Sequence, residues 1–320
     1  MRVLRHVEEL AELAGPLFVS VGTFDGVHCG HRRVLAELVR LAESRGGQAV
    51  AVTFEPHPAV VVRPVAAPLL LTTLAEKRRE IERVGVHALL CLEFNLAMSQ
   101  REGGEFLRAL LGPRERAGGL VAGHDTHLGR DRSMGAAEIA ALAASEGWEL
   151  RVVPAEVVDG LPVSSTRVRE LLLRGQVGPA SCLLGRPYSL AGCVVRGDGR
   201  GRQLGYPTAN LGPLEDRKLL PGDGIYAGWV ERGQEGFRAA LCIGRRPTFG
   251  EGPRTVEAHL LDFHGDLLGE SLRVHWVARL RDEERFASVE ALQVAMAQDC
   301  RRAAELLGER PRLEATGVFP

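Results

Sequence analysis

A short turn rich in glycine and histidine joins an apolar run to a helical pattern near the N-terminus. The run LFVSV (17–21) has the continuous apolar character of a buried strand, and HRRVLAELVRLAESRG (31–46) repeats apolar residues at helical spacing. Between them lies GTFDGVHCGH (22–31). A strand that passes directly into a helix is half of a β-α-β unit, so the chain is constrained from its start to a parallel sheet covered by helices. The predicted helix buries one apolar face, formed by Val34, Leu35, Leu38, Leu41 and Ala42.

The same alternation continues through the first half of the chain. A further helix is predicted at GAAEIAALAASEG (135–147). Further strands are predicted at QAVAVTF (48–54), VHALLCLEF (86–94), GLVAGHD (119–125) and WELRVVPAEVV (148–158). This pattern predicts a Rossmann-like α/β domain, a parallel sheet with helices on both faces, whose ligands bind at the carboxyl ends of the strands.

The pattern changes in the second half, where short strands alternate with Gly, Pro and Asp turns. The strands are predicted at SLAGCVVRG (189–197), GIYAGWVERG (224–233), FRAALCIG (237–244), RTVEAHLLDF (254–263) and SLRVHWVARL (271–280). An amphipathic helix follows in the tail SVEALQVAMAQDCRRAAELL (288–307), with Val289, Leu292, Ala295 or Met296, and Cys300 in line. We therefore predict a small antiparallel β-barrel with a C-terminal helix, and two domains covering 1–184 and 185–320.

Composition limits the classes of partner. A chain of 320 residues fits two domains, and a net charge of −1 offers no basic field for nucleic acid. The most apolar stretch, AVVVRPVAAPLLL (59–71), is broken by Arg63, Pro64 and Pro68, so no membrane span is expected. Six cysteines occur without a C-x-x-C pair, which is typical of reduced thiols in a cytoplasmic protein. Nothing in the sequence selects an oligomeric state.

The turn GTFDGVHCGH is expected at the carboxyl end of a strand and the start of a helix. Backbone amides and the helix dipole favour an anion there, and glycines allow a phosphate to approach the backbone closely. His28 and His31 can donate to phosphoryl oxygens as charge shifts in a transition state. Two alternatives stay open. One is a zinc site around His28, Cys29 and His31, for which no second ligand cluster has suitable spacing, and the other is a purely structural turn.

A second polar segment, VSSTRVRELLLRGQV (163–177), opens another predicted helix. Hydroxyl and guanidinium groups gather at its start, on Ser164, Ser165, Thr166, Arg167 and Arg169. Hydroxyls at a helix start most often act as N-caps. Three hydroxyls beside two arginines also suit a triphosphate, so the segment is a candidate for binding the tail of ATP.

These motifs carry a family resemblance. With H-x-G-H at 28–31 and SSTRVR at 164–169, the first half resembles the H-x-G-H nucleotidyltransferases. That motif alone leaves pantetheine-phosphate and nicotinamide-mononucleotide adenylyltransferases open. The second half closely resembles the riboflavin kinase family through RGDGRGRQLGYPTANL (196–211), IGRRPTFG (243–250) and TVEAHLLDFHGDLLG (255–269). In this order the two halves resemble the bifunctional riboflavin kinase/FMN adenylyltransferases, the prokaryotic FAD synthetase family, over essentially the whole chain.

The resemblance implies a kinase site in the second domain. Glu257 would accept the proton of the ribityl 5′-hydroxyl of riboflavin as that oxygen attacks the γ-phosphate of ATP, giving FMN. Thr208 and Asn210 would help to hold Mg²⁺, which prefers oxygen ligands. The loop over the ATP phosphates would consist of Gly197, Gly199, Gly201, Gly205 and Pro207.

The resemblance also implies an adenylyltransferase site in the first domain. The phosphate of FMN would attack the α-phosphate of a second ATP, releasing pyrophosphate and leaving FAD, while His28 and His31 stabilise the passing charge. ATP would be bound by Gly22, Phe24, Asp25, Gly30, Ser164, Ser165, Thr166 and Arg169. The flavin would be bound by Phe54 and His57 of TFEPHP (53–58) and by Asp125.

One segment departs from the family pattern. GHDTHLG (123–129) stands where the family shows G-E-D-F-R-F-G, so Thr126 and Leu128 replace two aromatic residues. We expect the lost aromatic area to weaken the grip on the isoalloxazine ring while the chemical step survives. The main prediction is a bifunctional enzyme whose partners are the small molecules riboflavin, FMN and ATP. The alternatives are a riboflavin kinase with an impaired adenylyltransferase domain and a non-catalytic flavin-binding regulator.

Overall fold

The computed structural model describes residues 1–245 and 254–308, which divide into two compact units between Ser165 and Thr166. The first unit is built on a parallel sheet of six strands, and the second on a closed antiparallel barrel of six strands followed by a C-terminal helix. The fold class predicted from the sequence is confirmed for both halves.

Six strands form the sheet of the first unit: β1 (Arg2–Leu4), β2 (Leu17–Val21), β3 (Gln48–Glu55), β4 (Ala88–Glu93), β5 (Ala117–Gly123) and β6 (Glu149–Val153). They lie in the order β1-β4-β3-β2-β5-β6, and every neighbouring pair is parallel. The order reverses at β2, which has β3 on one side and β5 on the other. The turn after β2 therefore leaves the sheet at its topological switch point, where open parallel sheets bind ligands.

Helices connect these strands: α1 (Cys29–Ser44), α2 (Pro58–Val62), α3 (Leu74–Arg83), α4 (Leu96–Ser99), α5 (Gly103–Leu111) and α6 (Ala136–Glu146). Three 3-10 turns lie at Val7–Glu12, Pro64–Ala66 and Arg130–Arg132, and a hairpin pairs β7 (Val157–Val158) with β8 (Leu161–Pro162). The predicted strand 148–158 is thus interrupted between β6 and β7. Pro154 lies in the interruption, and a proline has no N–H to donate to a strand ladder.

Alternation along the strands covers both faces of the sheet. In β3, Ala49 and Ala51 pack into the cluster that includes α1, whereas Val50 and Val52 pack into the cluster that includes α5. The buried residues of α1 are Val34, Leu35, Leu38, Leu41 and Ala42, as predicted from their spacing.

The barrel of the second unit comprises β9 (Tyr188–Val195), β10 (Ala209–Gly212), β11 (Gly224–Arg232), β12 (Glu235–Arg245), β13 (Arg254–Leu260) and β14 (Ser271–Arg281). It closes in the order β10-β13-β12-β11-β14-β9, with every pair antiparallel. Five of these strands are predicted from the sequence. The sixth, β10, has four residues, which is too short for alternation to reveal it.

The remaining helices are α7 (Ser165–Leu173), α8 (Val177–Leu184), α9 (Arg200–Gln203) and α10 (Val289–Leu307). The tail helix is confirmed, but its buried face differs from the predicted one. Val289 is 56% exposed, and α10 instead buries Asp299, Ala303 and Leu307 in its second half. Asp299 accepts two hydrogen bonds from the Arg281 guanidinium, at 3.0 and 2.7 Å, which fastens this half of α10 to β14. No helix among the described residues has the length and apolar character needed to cross a bilayer.

Helices α7 and α8 pack within the second unit. The carbonyl of Leu172 accepts the Gly222 amide at 2.8 Å, the Arg279 guanidinium donates to the carbonyl of Arg174 at 3.0 Å, and α8 packs against β14 and β9. The sequence-based boundary at 184 places these helices in the first domain. Packing groups them with the barrel, and the assignment of activities to 1–184 and 185–320 stays a prediction.

We expect a fragment of residues 166–320 to be more stable than one of residues 185–320. The longer fragment keeps α8, whose Leu183 and Leu184 are buried, and burying a leucine is worth roughly 1.5–3 kcal/mol. Thermal unfolding followed by circular dichroism should give a midpoint roughly 5 °C or more higher for the longer fragment. Equal midpoints would contradict the packing of these helices on the barrel.

Candidate active sites

The turn between β2 and α1 has a strained backbone. Phe24 (φ 45°) and Val27 (φ 41°) both occupy the left-handed region, with Gly26 between them at φ 83°. The Val27 amide donates to the Phe24 carbonyl at 3.1 Å and closes the turn. A non-glycine residue in this region costs about 1–3 kcal/mol, so the surroundings must hold the turn in place.

His28 and His31 are fixed against each other at the start of α1. Nδ1 of His28 accepts the His31 amide N–H at 3.3 Å, and the two rings stack with centroids 3.6 Å apart and planes 14° apart. Because Nδ1 of His28 is an acceptor, its neutral ring carries the proton on Nε2, which is then a donor. A Cβ on Gly30 would lie 3.3 Å from the His28 ring, so glycine at this position permits the stack.

The stacked rings argue against the zinc alternative. A metal ion lies near the plane of each imidazole that binds it, and two parallel rings in face-to-face contact cannot both meet that condition at one ion. Within residues 1–245 and 254–308, no three His, Cys, Asp or Glu side chains form a group suited to a metal ion. The geometry favours hydrogen-bond donation to an anion.

Two of the predicted ATP residues brace the turn. The buried carboxylate of Asp25 accepts the Leu71 amide at 3.0 Å and the Thr72 amide at 3.0 Å. The Ser165 hydroxyl donates to the Asp25 carbonyl at 2.9 Å. These contacts give both residues a structural part in the site, while their contact with ATP stays a prediction.

The other predicted ATP residues lie along the same two segments. The Phe24 and His31 rings pack edge to face, with their centroids 5.4 Å apart. A Cβ on Gly22 would lie 3.1 Å from the Phe24 ring. The remaining three lie around the start of α7: Ser164 directly precedes the helix and is half-buried, and within the helix Thr166 is exposed and Arg169 is half-buried.

The three predicted flavin residues have different surroundings in the first unit. Phe54, near the carboxyl end of β3, meets the Phe94 ring edge-on at 5.5 Å and packs against the core. His57 caps α2, because its Nδ1 accepts the Ala59 amide at 3.1 Å. The Asp125 carboxylate is 78% exposed. Their roles in flavin binding remain predictions.

The departing segment GHDTHLG divides into a core position and a surface position. Leu128 is buried in the core, and its backbone pairs with that of Met134 at 2.8 and 3.1 Å. Thr126 is half-buried. An aromatic residue at 128 would therefore also change core packing, and the expected loss of flavin contacts at Thr126 and Leu128 stays a prediction.

In the barrel, strand register assembles the predicted kinase residues. Asn210 of β10 pairs with Glu257 of β13, although 47 positions separate them in sequence. The Thr208 hydroxyl donates to Oε2 of Glu257 at 2.8 Å, and Asn210 is 6% exposed. A hydroxyl, an amide oxygen and a carboxylate thus lie together at the edge of one strand pair.

The predicted glycine loop packs directly on this group. A Cβ on Gly197 would lie 2.3 Å from the side-chain nitrogen Nδ2 of Asn210. A Cβ on Gly201 would lie 2.3 Å from the backbone carbonyl oxygen of Tyr206. Any larger residue at either position would push the loop away from the site. Gly199 and Gly205 have φ of 71° and 86° and lie on either side of α9.

The end of the loop is also held. The carbonyl of Pro207 accepts a hydrogen bond from Nδ1 of His259 at 2.8 Å, and the Tyr206 ring meets His259 edge-on at 5.5 Å. Of the predicted segment IGRRPTFG (243–250), residues 243–245 end β12, and residues 246–250 lie outside the described residues.

Negative charge concentrates around Glu257. Burial, together with the charge of Glu257 across the β12–β13 pair, raises the pKa of the Cys242 thiol to about 12. Burial, with Asp223 and Glu257 nearby, raises the pKa of Glu283. The charge of Arg281 lowers the pKa of both groups and partly offsets these effects.

Sequence patterns do not reveal five residues that shape these sites. Cys242 lies opposite Glu257 in the β12–β13 pair, and Glu283 follows β14. Thr53, Thr72 and Lys77 surround the turn of the first unit, as described below. Only Lys77 could have been noticed from the sequence, because Lys77 and Lys218 are the two lysines of the chain. Both lysines are buried.

Comparisons with known proteins agree with this arrangement. Residues 11–167 match the family model for FAD synthetase, and residues 184–307 match the model for riboflavin kinase. A crystal structure described as a macrolide-efflux protein from Streptococcus pneumoniae matches with a TM-score of 0.84 and 31% identity. That match covers 95% of this chain and 99% of the other.

Curated relatives match nearly end to end. The bifunctional riboflavin kinase/FMN adenylyltransferase of Pseudomonas fluorescens is 36% identical over 307 residues, covering 96% of this chain and 98% of the relative. The protein of the same name from Escherichia coli K12 is 33% identical, with the same coverage of 96% and 98%. The protein of that name from Bacillus subtilis is 30% identical and covers 89% of this chain and 90% of its own. The chain therefore belongs to the family of bifunctional riboflavin kinase/FMN adenylyltransferases.

Proposed function

We infer that the chain is a bifunctional enzyme of flavin cofactor synthesis. It phosphorylates riboflavin with ATP to give FMN, and it adenylylates FMN with a second ATP to give FAD and pyrophosphate. The observation that carries this inference is that one chain holds both polar groups, the stacked His28–His31 pair at the switch point of the sheet and the Thr208–Glu257 contact beside Asn210 in the barrel.

In the kinase reaction, Glu257 acts as general base. Its carboxylate takes the proton of the ribityl 5′-hydroxyl as that oxygen attacks the γ-phosphate and ADP leaves. The hydrogen bond from Thr208 at 2.8 Å fixes the orientation of the carboxylate. The short approach of Gly197 to Asn210 lets the glycine loop lie directly over the group, where its backbone amides face the phosphates.

The donor chemistry of this group fits Mg²⁺. Thr208 and Asn210 present neutral oxygens, and Glu257 adds a negative charge, which is the kind of oxygen set that Mg²⁺ binds together with substrate phosphates. When bound, Mg²⁺ neutralises charge on the transferred phosphoryl group. Thr208 and Asn210 are the residues we assign to holding it.

In the adenylyl transfer, the FMN phosphate is itself the nucleophile, so no covalent enzyme intermediate is required. A phosphate oxygen of FMN bonds to the α-phosphorus of ATP as the bond to pyrophosphate breaks. His28, through its Nε2–H, and His31 stabilise the charge on the α-phosphoryl oxygens. Ser165, Thr166 and Arg169 bind the β- and γ-phosphates at the start of α7.

The structure bears on the kinase-only alternative through Leu128. That alternative is motivated by the loss of two aromatic residues in GHDTHLG. Leu128 packs in the core, so its replacement of an aromatic residue alters packing as well as any flavin contact, whereas Thr126 is half-buried. One lost ring contact is worth about 0.5–1.5 kcal/mol, which lowers affinity without abolishing the reaction.

We assign the enzyme to the cytoplasm. All six cysteines are free thiols, as is usual in a reducing compartment. Riboflavin, FMN and ATP are the partners proposed for the chain.

Glu257→Gln should abolish conversion of riboflavin to FMN and leave conversion of supplied FMN to FAD intact. Losing a general base typically lowers the rate by ~10²–10⁴-fold. Both reactions are measured by chromatography of the flavins, with Glu305→Gln, which changes an exposed glutamate of α10, as the matched control that keeps both activities. Loss of both activities in the folded Glu257→Gln variant would refute the assignment.

His31→Ala should have the reverse effect, so that FMN accumulates from riboflavin and no FAD appears. Removing one donor to a developing oxyanion typically costs about 10²–10³-fold in kcat. His124→Ala, which changes an exposed histidine of the same unit, is the control and should make FAD at the normal rate. The role assigned to His31 fails if the variant forms FAD as fast as this control does.

A further inference from the structure

The strained turn of the first unit is held from a segment outside the H-x-G-H motif. Asp25 and Gly26 are the two central residues of the turn closed by Phe24 and Val27. Val27 directly precedes His28, so any change in the turn moves the histidine pair. The hydrogen bonds that hold Asp25 and Gly26 therefore determine the orientation of the His28 and His31 imidazoles.

One hydroxyl reaches both central residues. The Thr72 Oγ1 donates to the Asp25 carboxylate at 3.2 Å and accepts the Gly26 amide N–H at 3.1 Å. The Thr72 amide also donates to that carboxylate at 3.0 Å, and Thr72 is 5% exposed. A single buried side chain thus uses its donor and its acceptor on adjacent residues of the strained turn.

A parallel contact fixes the residue before the turn. The Thr53 hydroxyl donates to the Thr23 carbonyl at 3.1 Å, and Nζ of the buried Lys77 lies 3.5 Å from the Thr53 oxygen. Lysine appears only twice in the chain, and burial lowers the pKa of this copy while the nearby charge of Asp25 partly offsets that effect. The backbone from Thr23 to Gly26 is therefore held from β3, from α3 and from the segment before α3.

We propose that Thr72 is a positioning residue for adenylyl transfer. It does not touch the reacting atoms in this assignment. By joining Asp25 to Gly26 it keeps the turn in its left-handed conformation, and the turn sets the direction of the His28 and His31 donors. The proposal rests on the inferred adenylyltransferase activity of the first unit.

Thr72 also has a neighbour that serves as its matched control. Thr73 caps α3, because its hydroxyl accepts the Glu76 amide at 3.2 Å, and it makes no contact with the turn among the described interactions. Thr72→Val and Thr73→Val remove the same hydroxyl and keep the same shape one residue apart. Thr72→Ser keeps the hydroxyl and removes a methyl group.

The experiment measures steady-state conversion of supplied FMN to FAD in the full chain, with FMN and ATP varied in turn. We expect Thr72→Val to lower kcat roughly 10–100-fold, because displacing a catalytic group by about 1 Å can cost that much. In Thr72→Val the KM for ATP should change less than about threefold. Thr72→Ser should restore kcat. Thr73→Val should keep the wild-type kcat even though it loses as much thermal stability as Thr72→Val, or more. Riboflavin phosphorylation in the same samples shows that the chain is intact.

Several outcomes would overturn the proposal. These are a normal kcat in Thr72→Val, an equal loss in Thr73→Val, or a failure of Thr72→Ser to restore the rate. If Thr72→Val does not fold, Thr53→Ala removes the parallel contact and must show the same selective loss of kcat. A wild-type chain that forms no FAD would refute the proposed adenylyltransferase activity. A wild-type chain that forms FAD, with Thr72→Val equally active, would refute only the role of Thr72.

Discussion

Strand pairing assembles the proposed kinase group, whose residues are distant in sequence, and it places the turn that carries His28 and His31 at the switch point of the sheet. In the barrel, the register between β10 and β13 sets Asn210 opposite Glu257, and the Thr208 hydroxyl then reaches the carboxylate at 2.8 Å. In the sheet, β2 lies between β3 and β5, so the turn that follows it opens at the point where the strand order reverses. A shift of one residue in the β10–β13 register would turn the shifted strand's side chain, Asn210 or Glu257, to the opposite face of the barrel wall.

The two sites handle phosphate by different physical means. In the proposed first site the donors lie at helix starts, where the stacked rings of His28 and His31 add to the backbone amides and the helix dipole. The second gathers a carboxylate and neutral oxygens, the oxygen set to which we assign Mg²⁺, and burial together with nearby acidic groups raises the pKa of Cys242 and of Glu283. Each site suits its own step, since the α-phosphate is attacked by an anion and the γ-phosphate by a hydroxyl that must lose a proton.

Sequence patterns predict the layers of this fold well and its supporting contacts poorly. The buried face of α1 follows from helical spacing, and the H-x-G-H motif points to the histidine pair. Asp25 is recognisable as part of the motif, yet its carboxylate is bound by a segment more than forty residues away, a contact that no local pattern encodes. Thr72 looks like an ordinary residue before a helix cap, and Leu128 looks like a lost flavin contact although it lies in the core. Burial and long-range hydrogen bonds decide these cases.

The central claim is that one chain carries both reactions in sequence. The most direct measurement is to incubate the full chain with riboflavin and MgATP and to follow the flavins by chromatography over time. If the chain carries both reactions, FMN appears first and FAD then accumulates at its expense. FMN that persists without any FAD, in a chain whose kinase is active, would contradict it.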